Sequence, residues 1–536
     1  MMRALLRMIE SFARDSRGNI ALTFGICSVP LLVAVGAGVD YSLATRMKAK
    51  LQSAADAAAV AAVSENGAGY LAATQMQSDG SVPAGVTDAN NVFNGIMNTI
   101  TGFTNLTVTP TVTKTGVNLQ ANVTFSAQVP TTFMNLAGFS EMTVTGSSAA
   151  TATLPLYLDF YLTLDVSGSM GLPSTPAEAV RMQNVNPDNY RQYPTGCTLA
   201  CHFAPQNSAC TNSGTQGYPT NNYCLGYAIS RVSQSGYQST LINQSPQGTY
   251  PWKNPANNKY QQLPSSIVSG LPGSLTAPKS SGGAGLAAVT SCPTDGTDAC
   301  IQLRLDAVGY AVNQMFALAN QKEVITNQFR IGLYPFIRYL YQYFPLTYSI
   351  NGSQSTPGTI NYAAANLATL LDTNTNANLG SGGTHIDNGL SSINTIITNV
   401  GDGSTSTNTL PYVFLITDGA EDPQVKGVPN GSWSGSNHAT TIDPTTVCTP
   451  LKNRGIKISV LYVPYVKINP VNASFANDED DYANNNIPNI PGSLSACASP
   501  PDSSGSYFYT ASTPQEINDS LQAMFNHALI TAHLTN

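Results

Sequence analysis

Charge is scarce in this chain. Only 10% of its 536 residues are Asp, Glu, Lys or Arg, and 23 basic residues against 30 acidic ones give a net charge of −7. Lys and Arg form few clusters beyond the N-terminus, so the chain lacks the basic surface typical of nucleic-acid-binding proteins. Asn, Thr, Ser and Gly are abundant instead. This composition favours a protein that works outside the cytoplasm.

Cysteine is sparse and unevenly placed. Cys27 lies in an apolar N-terminal segment. The other eight cysteines follow that segment: Cys197, Cys201, Cys210, Cys224, Cys292, Cys300, Cys448 and Cys497. An even number of thiols beyond a segment that has crossed a membrane predicts up to four disulfides.

We expect Cys448 to pair with Cys497 and Cys292 to pair with Cys300. Three connectivities stay open for the remaining four, which are Cys197, Cys201, Cys210 and Cys224. A zinc site is the alternative interpretation, with Cys197, Cys201, His202 and Cys210 as ligands. Their spacing fits no common zinc pattern, and an oxidising compartment disfavours such a site.

One long uncharged run is present, at residues 20–39. It is about long enough to span a bilayer as a helix, and the arginines before it predict that residues 1–19 stay in the cytoplasm. Apolar residues continue at helical spacing to about residue 65, which predicts a single helix over residues 20–63. A signal peptide cleaved at Val35-Gly36-Ala37 is the competing interpretation.

Three motifs in this region carry a family resemblance. They are Arg17-Gly18-Asn19-Ile20-Ala21-Leu22-Thr23-Phe24, then Asp40-Tyr41, then Leu51-Gln52-x-x-x-Asp56-Ala57-Ala58. Together they resemble the start of TadE/TadG-type proteins, a family that helps to assemble Tad (Flp) pili in bacteria. Related prepilins have a Glu where this chain has Thr23. We therefore expect an uncleaved, single-pass inner-membrane anchor, with the C-terminal bulk in the periplasm or at the cell surface.

Residues 66–154 alternate in polarity. The alternation is clearest at residues 106–113, 117–126 and 142–149, where Thr and Val predominate, and it predicts half-exposed strands. A long helix followed by a small antiparallel sheet is the pilin-like arrangement, and Pro130-Thr131-Thr132-Phe133-Met134 also resembles the TadG pattern. A β-rich stalk that only spaces the next domain from the membrane is the alternative.

Oxygen-bearing side chains occur at three places in the remainder of the chain. Asp165, Ser167 and Ser169 follow an apolar run, Thr384 follows Gly382-Gly383 ahead of a helical pattern, and Asp418 follows a second apolar run. Two carboxylates and three hydroxyls favour a hard divalent cation, Mg²⁺ or else Mn²⁺ or Ca²⁺. Such a site keeps a coordination position free, which a carboxylate from another molecule can fill.

These five residues together resemble the metal-ion-dependent adhesion site of a von Willebrand factor A (vWA) domain. The resemblance implies that all five hold the ion. It also implies an α/β fold with a Rossmann-like, mostly parallel sheet covered by helices, and the alternation of strands and helices predicts the same class. Ligands of such sheets bind beyond the carboxyl ends of the strands, where Asp165 and Asp418 are expected.

The predicted vWA domain, residues 155–170 and 301–536, is interrupted. Residues 171–300 hold six of the cysteines and are rich in Pro, Asn, Gln, Ser, Gly and Tyr. Such a segment buries little core, so we expect disulfides to hold it together. It leaves the domain directly beside the predicted ligands. We therefore expect it to flank the metal site and to select the partner.

These features predict a non-enzymatic, membrane-anchored protein of pilus assembly or adhesion. Its partner would be a pilus component or surface ligand that offers an acidic side chain to the ion. A metal-dependent hydrolase is one alternative, but it needs a general base, and His385 is the single imidazole nearby. We expect His385 to be solvated and Asp387 to cap a helix. A vWA domain whose ion only stabilises the fold is the other alternative.

Overall fold

The computed structural model describes residues 19–175, 203–204, 223–224, 252–254, 259–261, 303–354, 356–372, 376–428, 431–436, 438–465, 467 and 481–534. Cys224 ends a short strand, Tyr223–Cys224. The predictions for residues 1–18, for Cys197, Cys201, Cys210, Cys292 and Cys300, and for the zinc alternative lie outside the described residues. The chain divides into two compact units, Met1–Pro155 and Leu156–Asn536.

The N-terminal unit is built on one long helix. Helix α1 spans Asn19–Ala62, close to the predicted 20–63. Among the described residues it is the one helix long and apolar enough to cross a membrane. Its second half is amphipathic and buries Met47, Leu51 and Ala55, whereas Leu43 is 45% exposed.

An antiparallel sheet of four strands completes this unit. Its strands, in spatial order, are β1 (Gly80–Ser81), β2 (Thr104–Thr115), β3 (Asn118–Pro130) and β4 (Glu141–Thr153). Helices α2 (Ala68–Gln75) and α3 (Pro83–Met97) lie between α1 and β2 in the sequence. Strand β3 alternates buried and exposed residues. This alternation agrees with the half-exposed strands that the period-two pattern predicted. The apolar side chains of β3 share one core with the second half of α1.

The C-terminal unit contains a six-stranded sheet. Its strands in chain order are β5 (Leu158–Asp165), β6 (Phe329–Phe336), β7 (Phe344–Thr347), β8 (Leu410–Thr417), β11 (Lys457–Tyr462) and β12 (Phe508–Thr510). The spatial order is β7-β6-β5-β8-β11-β12, and every pair is parallel except β6–β7 at one edge. The prediction of a mostly parallel sheet is confirmed. A two-stranded hairpin, β9 (Val425–Lys426) and β10 (Trp433–Ser434), stands apart from this sheet.

Helices cover both faces of this sheet. They are α4 (Arg304–Lys322), α5 (Ile360–Ala365), α6 (Ile386–Ile396), α7 (Pro444–Val447), α8 (Thr449–Asn453), α9 (Asp481–Asn486), α10 (Ile490–Cys497) and α11 (Pro514–Leu534). On one face the ring of Phe525 in α11 lies 5.1 Å from that of Phe160. On the other face, Gly389 of α6 contacts Phe336. Phe336 pairs with Asp165, whose side chain lies on the face opposite Phe160 because successive side chains of a strand alternate between faces.

The predicted pairing of Cys448 with Cys497 is present as a disulfide. It joins the junction of α7 and α8 to the last residue of α10, and both residues are fully buried. The bond closes a loop that contains β11, so this central strand and its flanking helices are tied together.

Candidate metal centre

The carboxyl ends of β5 and β8 bring Asp165 and Asp418 to one edge of the sheet. Leu164 pairs with Ile416 in the parallel register, so Thr417 lies beside Asp165. The Thr417 hydroxyl donates a hydrogen bond to Asp165 Oδ2 at 2.6 Å. Both carboxylates are fully buried. The strand ends therefore hold two acidic groups together, out of contact with water.

The residues after β5 turn sharply across this edge. Asp165 Oδ1 accepts the backbone N–H of Ser167 at 2.9 Å, which starts a single turn of 3₁₀-helix, Gly168–Gly171. The hydroxyl oxygens of Ser167 and Ser169 lie 3.2 Å apart. The turn thus keeps the two predicted hydroxyl ligands adjacent and close to Asp165.

Thr384 reaches the same edge through backbone contacts. The Thr384 N–H donates to Asp422 O at 3.0 Å, and the Asp422 N–H donates to Thr384 O at 2.9 Å. The next residue, His385, donates its N–H to Ile337 O, directly beyond the end of β6. Gly383 permits this approach, because its φ is +45° and a Cβ there would lie 2.1 Å from Asp422 O.

Arg304 is a buried neighbour of this site that the sequence analysis missed. Its Nη1 lies 3.5 Å from Asp418 Oδ2, and its Nη2 donates to Pro464 O at 2.8 Å. Both members of the ion pair are buried. No local signal identifies Arg304, which in the sequence is one polar residue at the start of an amphipathic helix.

The same stretch closes the base of the long insertion. Arg304 N–H donates to Leu172 O at 2.9 Å, and Pro173 and Leu303 form a β-bridge. The chain therefore leaves the domain after Pro173 and returns at Leu303 at the same point, and the next residue, Arg304, lies beside Asp418.

The site carries more negative charge than the protein neutralises. Burial raises the pKa of Asp165, and burial together with the Asp165 charge raises the pKa of Asp418, although Arg304 acts in the opposite direction. Asp418 Oδ1 is buried without a hydrogen-bond partner of good geometry among the described residues, although the Ser169 hydroxyl and the Ala420 N–H are near this carboxylate. Two buried carboxylates, a carboxylate oxygen without a partner and adjacent hydroxyls suit a hard divalent cation.

A further acidic residue on this edge, Glu421, was also missed by the sequence analysis. Its Oε2 accepts the N–H groups of Ile386 and Asp387 at 2.9 and 3.4 Å, so Glu421 caps helix α6. Burial and the neighbouring Asp387 raise the pKa of Glu421 to about 9. The predicted cap, Asp387, lies inside the first turn of the helix instead.

His385 is buried, so the expectation of a solvated side chain is wrong. Its side-chain Nε2 lies 3.1 Å from Gln424 O. Ligand atoms of His385, Asp387 and Glu421 lie within 4.8 Å of one another. The loop that carries Thr384 is held on its C-terminal side by two hydrogen bonds, between His385 Nε2 and Gln424 O and from the Ile386 N–H to Glu421.

A comparison with family models found a match for the first helix. Residues 18–65 match the model described as putative Flp pilus-assembly TadE/G-like. The matched residues correspond to α1 and contain the three motifs of the sequence resemblance, apart from Arg17 at the start of the first. They do not include the residues of the candidate metal centre. A comparison with curated proteins found no match.

Solved structures of pilus proteins are similar to this chain at a low level. The pilus adhesin SpaC from Lactobacillus rhamnosus GG is 10% identical, with a TM-score of 0.28, over 80% of this chain and 35% of the adhesin. The PilB minor pilin from Streptococcus sanguinis is 10% identical, with a TM-score of 0.29, over 81% and 79% of the two chains.

A third similar structure is a single domain. The vWF domain of the type V pili tip protein from Porphyromonas gingivalis is 14% identical, with a TM-score of 0.25, over 43% of this chain and 88% of that one. The chain spans only about a third of the SpaC adhesin. All of these TM-scores are too low to support an argument about fold or function.

Proposed function

We propose that this chain is a membrane-anchored, non-enzymatic protein of Tad pilus assembly or adhesion. Its C-terminal unit would be a vWA domain that binds a protein partner through a divalent cation. The observation that supports this most is the pair of buried carboxylates, Asp165 and Asp418, at the carboxyl edge of a parallel sheet. The family match of residues 18–65 supports the connection to pili, and helix α1 supports a membrane anchor.

Each residue at the sheet edge has a role in this proposal. Asp165 and Asp418 supply negative charge, and the hydroxyls of Ser167, Ser169 and Thr384 supply further oxygens. Bound Mg²⁺, Mn²⁺ or Ca²⁺ would add an open coordination position for an acidic side chain of the partner. The protein's own contribution is orientation, because the Thr417 hydroxyl fixes the Asp165 carboxylate and the Arg304 guanidinium fixes that of Asp418.

Specificity would come from residues 171–300. The cation recognises any accessible carboxylate, so it cannot choose between acidic partners by itself. Both ends of the insertion lie at the site, where Arg304 N–H bonds Leu172 O. A partner that reaches the ion must therefore approach beside the base of the insertion. The bulk of the chain would face the periplasm or the cell surface from an inner-membrane anchor.

Ion binding is tested by titrating the full chain in detergent with Mn²⁺ and measuring bound Mn²⁺ by electron paramagnetic resonance. We expect stoichiometric binding that Asp165→Ala and Asp418→Ala each reduce at least tenfold. Asp402→Ala is the matched control, because Asp402 adjoins Gly403, whose O accepts the Tyr157 N–H near the opposite end of β5. Unchanged Mn²⁺ binding in both site variants would refute the proposed ligand set.

Partner binding separates the proposal from its two alternatives. The reconstituted chain should capture Tad pilus components with Mg²⁺ but not with a chelator, and Asp165→Ala should fail in both conditions. If the chelator lowers only the melting temperature while capture persists, the ion is structural. Turnover of a hydrolase substrate that is lost in His385→Ala would instead indicate an enzyme.

A further inference from the structure

The turn between β3 and β4 is apolar, although it is exposed. Residues 131–140, here called the 131–140 loop, contain no charged side chain. Within the loop Phe133, Leu136 and Phe139 are 38%, 76% and 61% exposed. The N–H of Thr131 bonds Ser140 O, and the Thr131 hydroxyl bonds Phe139 O, so the loop is closed at its base. Three large apolar side chains are therefore exposed on a loop that is closed at its base and has no charged side chain.

Asp40 ties this loop to helix α1. Its carboxylate accepts three backbone N–H groups, from Thr132 at 3.1 Å, Phe133 at 2.9 Å and Met134 at 2.8 Å. Asp40 is 3% exposed, and it is the first charged residue after the uncharged run at residues 20–39. The carboxylate is thus satisfied by the loop at the point where the apolar part of the helix ends.

Phe133 reaches further along the helix, into the uncharged run. A Cβ at Gly36 would lie 2.2 Å from Phe133 Cβ, so the aromatic residue packs directly on the helix backbone there. Gly36 and Asp40 lie one turn apart on the same face of the helix. On the same stretch of helix Leu32, Val35 and Val39 are 61%, 64% and 45% exposed. The apolar surface of the loop is therefore continuous with that of the helix.

We propose that the 131–140 loop is a second membrane contact, which enters the bilayer interface beside α1 and places Leu136 and Phe139 among lipid chains. The inference rests on the membrane anchor of the proposed function. If residues 20–39 span the bilayer, Gly36 lies near its boundary, and Phe133 is held at the same depth. Backbone N–H groups that would be costly to expose to lipid are bonded to Asp40. A helix and a loop together fix the tilt of the small sheet above the membrane, which a single helix cannot do.

Tryptophan fluorescence in vesicles tests this contact. The full chain is reconstituted into phosphatidylcholine–phosphatidylglycerol vesicles, with or without brominated acyl chains. Trp252 and Trp433, the two native tryptophans, are first replaced by Phe. One tryptophan is then returned at a time, by Leu136→Trp or Phe139→Trp. Leu71→Trp, at a 50% exposed position on α2, is the water-facing control, and Val35→Trp reports on the anchor.

Tryptophans introduced at positions 136 and 139 should be quenched by brominated lipid. Aqueous iodide should quench them severalfold less than it quenches the Leu71→Trp variant. Iodide quenching equal to that control would overturn the proposal, as would protection from both quenchers, which would mean that another protein covers the loop. If Val35→Trp is quenched by lipid in either case, the anchor stands and only the loop contact fails. Iodide quenching at position 35 would refute the anchor as well.

Discussion

Single residues at the sheet edge carry an unbalanced charge. Asp165 and Asp418 are buried together, while Arg304 is the one cationic side chain that the described residues pair with them. Burial of a carboxylate without full compensation costs free energy, which the protein can lower by binding a proton or a cation. The raised pKa values of both carboxyls reflect a tendency to bind a proton. The proposed metal would provide the cation instead.

The contribution of Asp418 to the stability of the metal-free protein should therefore fall as pH rises. An unfolded Asp has a pKa of about 3.9, and Asp418 in the folded chain has a pKa of about 7, so the folded state binds more protons between these values. This contribution is fully present below the unfolded pKa and is lost as pH rises through the folded pKa. Mg²⁺ binds the ionised carboxylates, so its stabilising effect should increase over the same range.

Thermal unfolding of the full chain, with Mg²⁺ or with a chelator, measures this effect. We expect the Mg²⁺-dependent rise in melting temperature to grow between about pH 5 and about pH 8. At a free Mg²⁺ concentration of about a hundred times Kd, binding should add about 2.7 kcal/mol to the free energy of unfolding. The Asp418→Asn variant should remove most of the pH dependence. An Mg²⁺ effect of the same size at every pH would show that these carboxylates do not bind the ion.

Among the elements, helix α1 has two environments along one continuous length. Its first half is exposed and apolar, and its second half shares a core with the sheet of the same unit. Asp40 lies at the transition and holds the loop between β3 and β4. The motif Asp40-Tyr41 and the motif Pro130-Thr131-Thr132-Phe133-Met134 were recognised separately in the sequence, and the structure brings them into contact.

Removal of the Asp40 carboxylate should release this loop. In Asp40→Ala the N–H groups of Thr132, Phe133 and Met134 lose their acceptor, so their hydrogen exchange should become much faster. Asp56→Ala is the matched control, because Asp56 also lies on α1 but, within the part of the chain that the structure describes, accepts only the side-chain amide of Gln52. Exchange measured by mass spectrometry over residues 131–140 reports the difference. Equal exchange in both variants would mean that other contacts hold the loop.

At the scale of the whole molecule, the chain has two cores. The core of Met1–Pro155 is formed by α1, its short helices and the antiparallel sheet, whereas Leu156–Asn536 is built around the parallel sheet. The proposed metal ligands all belong to the second unit, and the Asp40 contacts all belong to the first. Perturbations at the two sites should therefore act on different unfolding units.

Calorimetry of the full chain should show two unfolding transitions. A chelator, or Asp165→Ala, should lower only one of them, and Asp40→Ala should lower only the other. A domain of 150–250 residues shifts by about 2–4 °C per kcal/mol, so effects of a few kcal/mol are resolvable. A single transition that moves in response to both perturbations would show that the two units unfold together.

Local patterns in the sequence determined most of the elements. Helix α1 and the three long strands of the first unit follow from the spacing of apolar residues. Such elements are predictable because each shows its buried face within a few residues of chain. The short edge strand β7 and the helices from α7 to α10 were not predicted, because they are too short to establish a period.

The candidate site divides along the same line. The sequence by itself predicted Asp165, Ser167, Ser169, Thr384 and Asp418 as site residues, because each follows a strand or precedes a helix and the three segments together resemble a known motif. Only the tertiary structure decided that Arg304 pairs with Asp418, that Glu421 caps α6 and that Asp40 holds a loop some 90 residues away. These contacts join residues that are distant in the chain. Their energies depend on burial and on orientation, which no local pattern encodes.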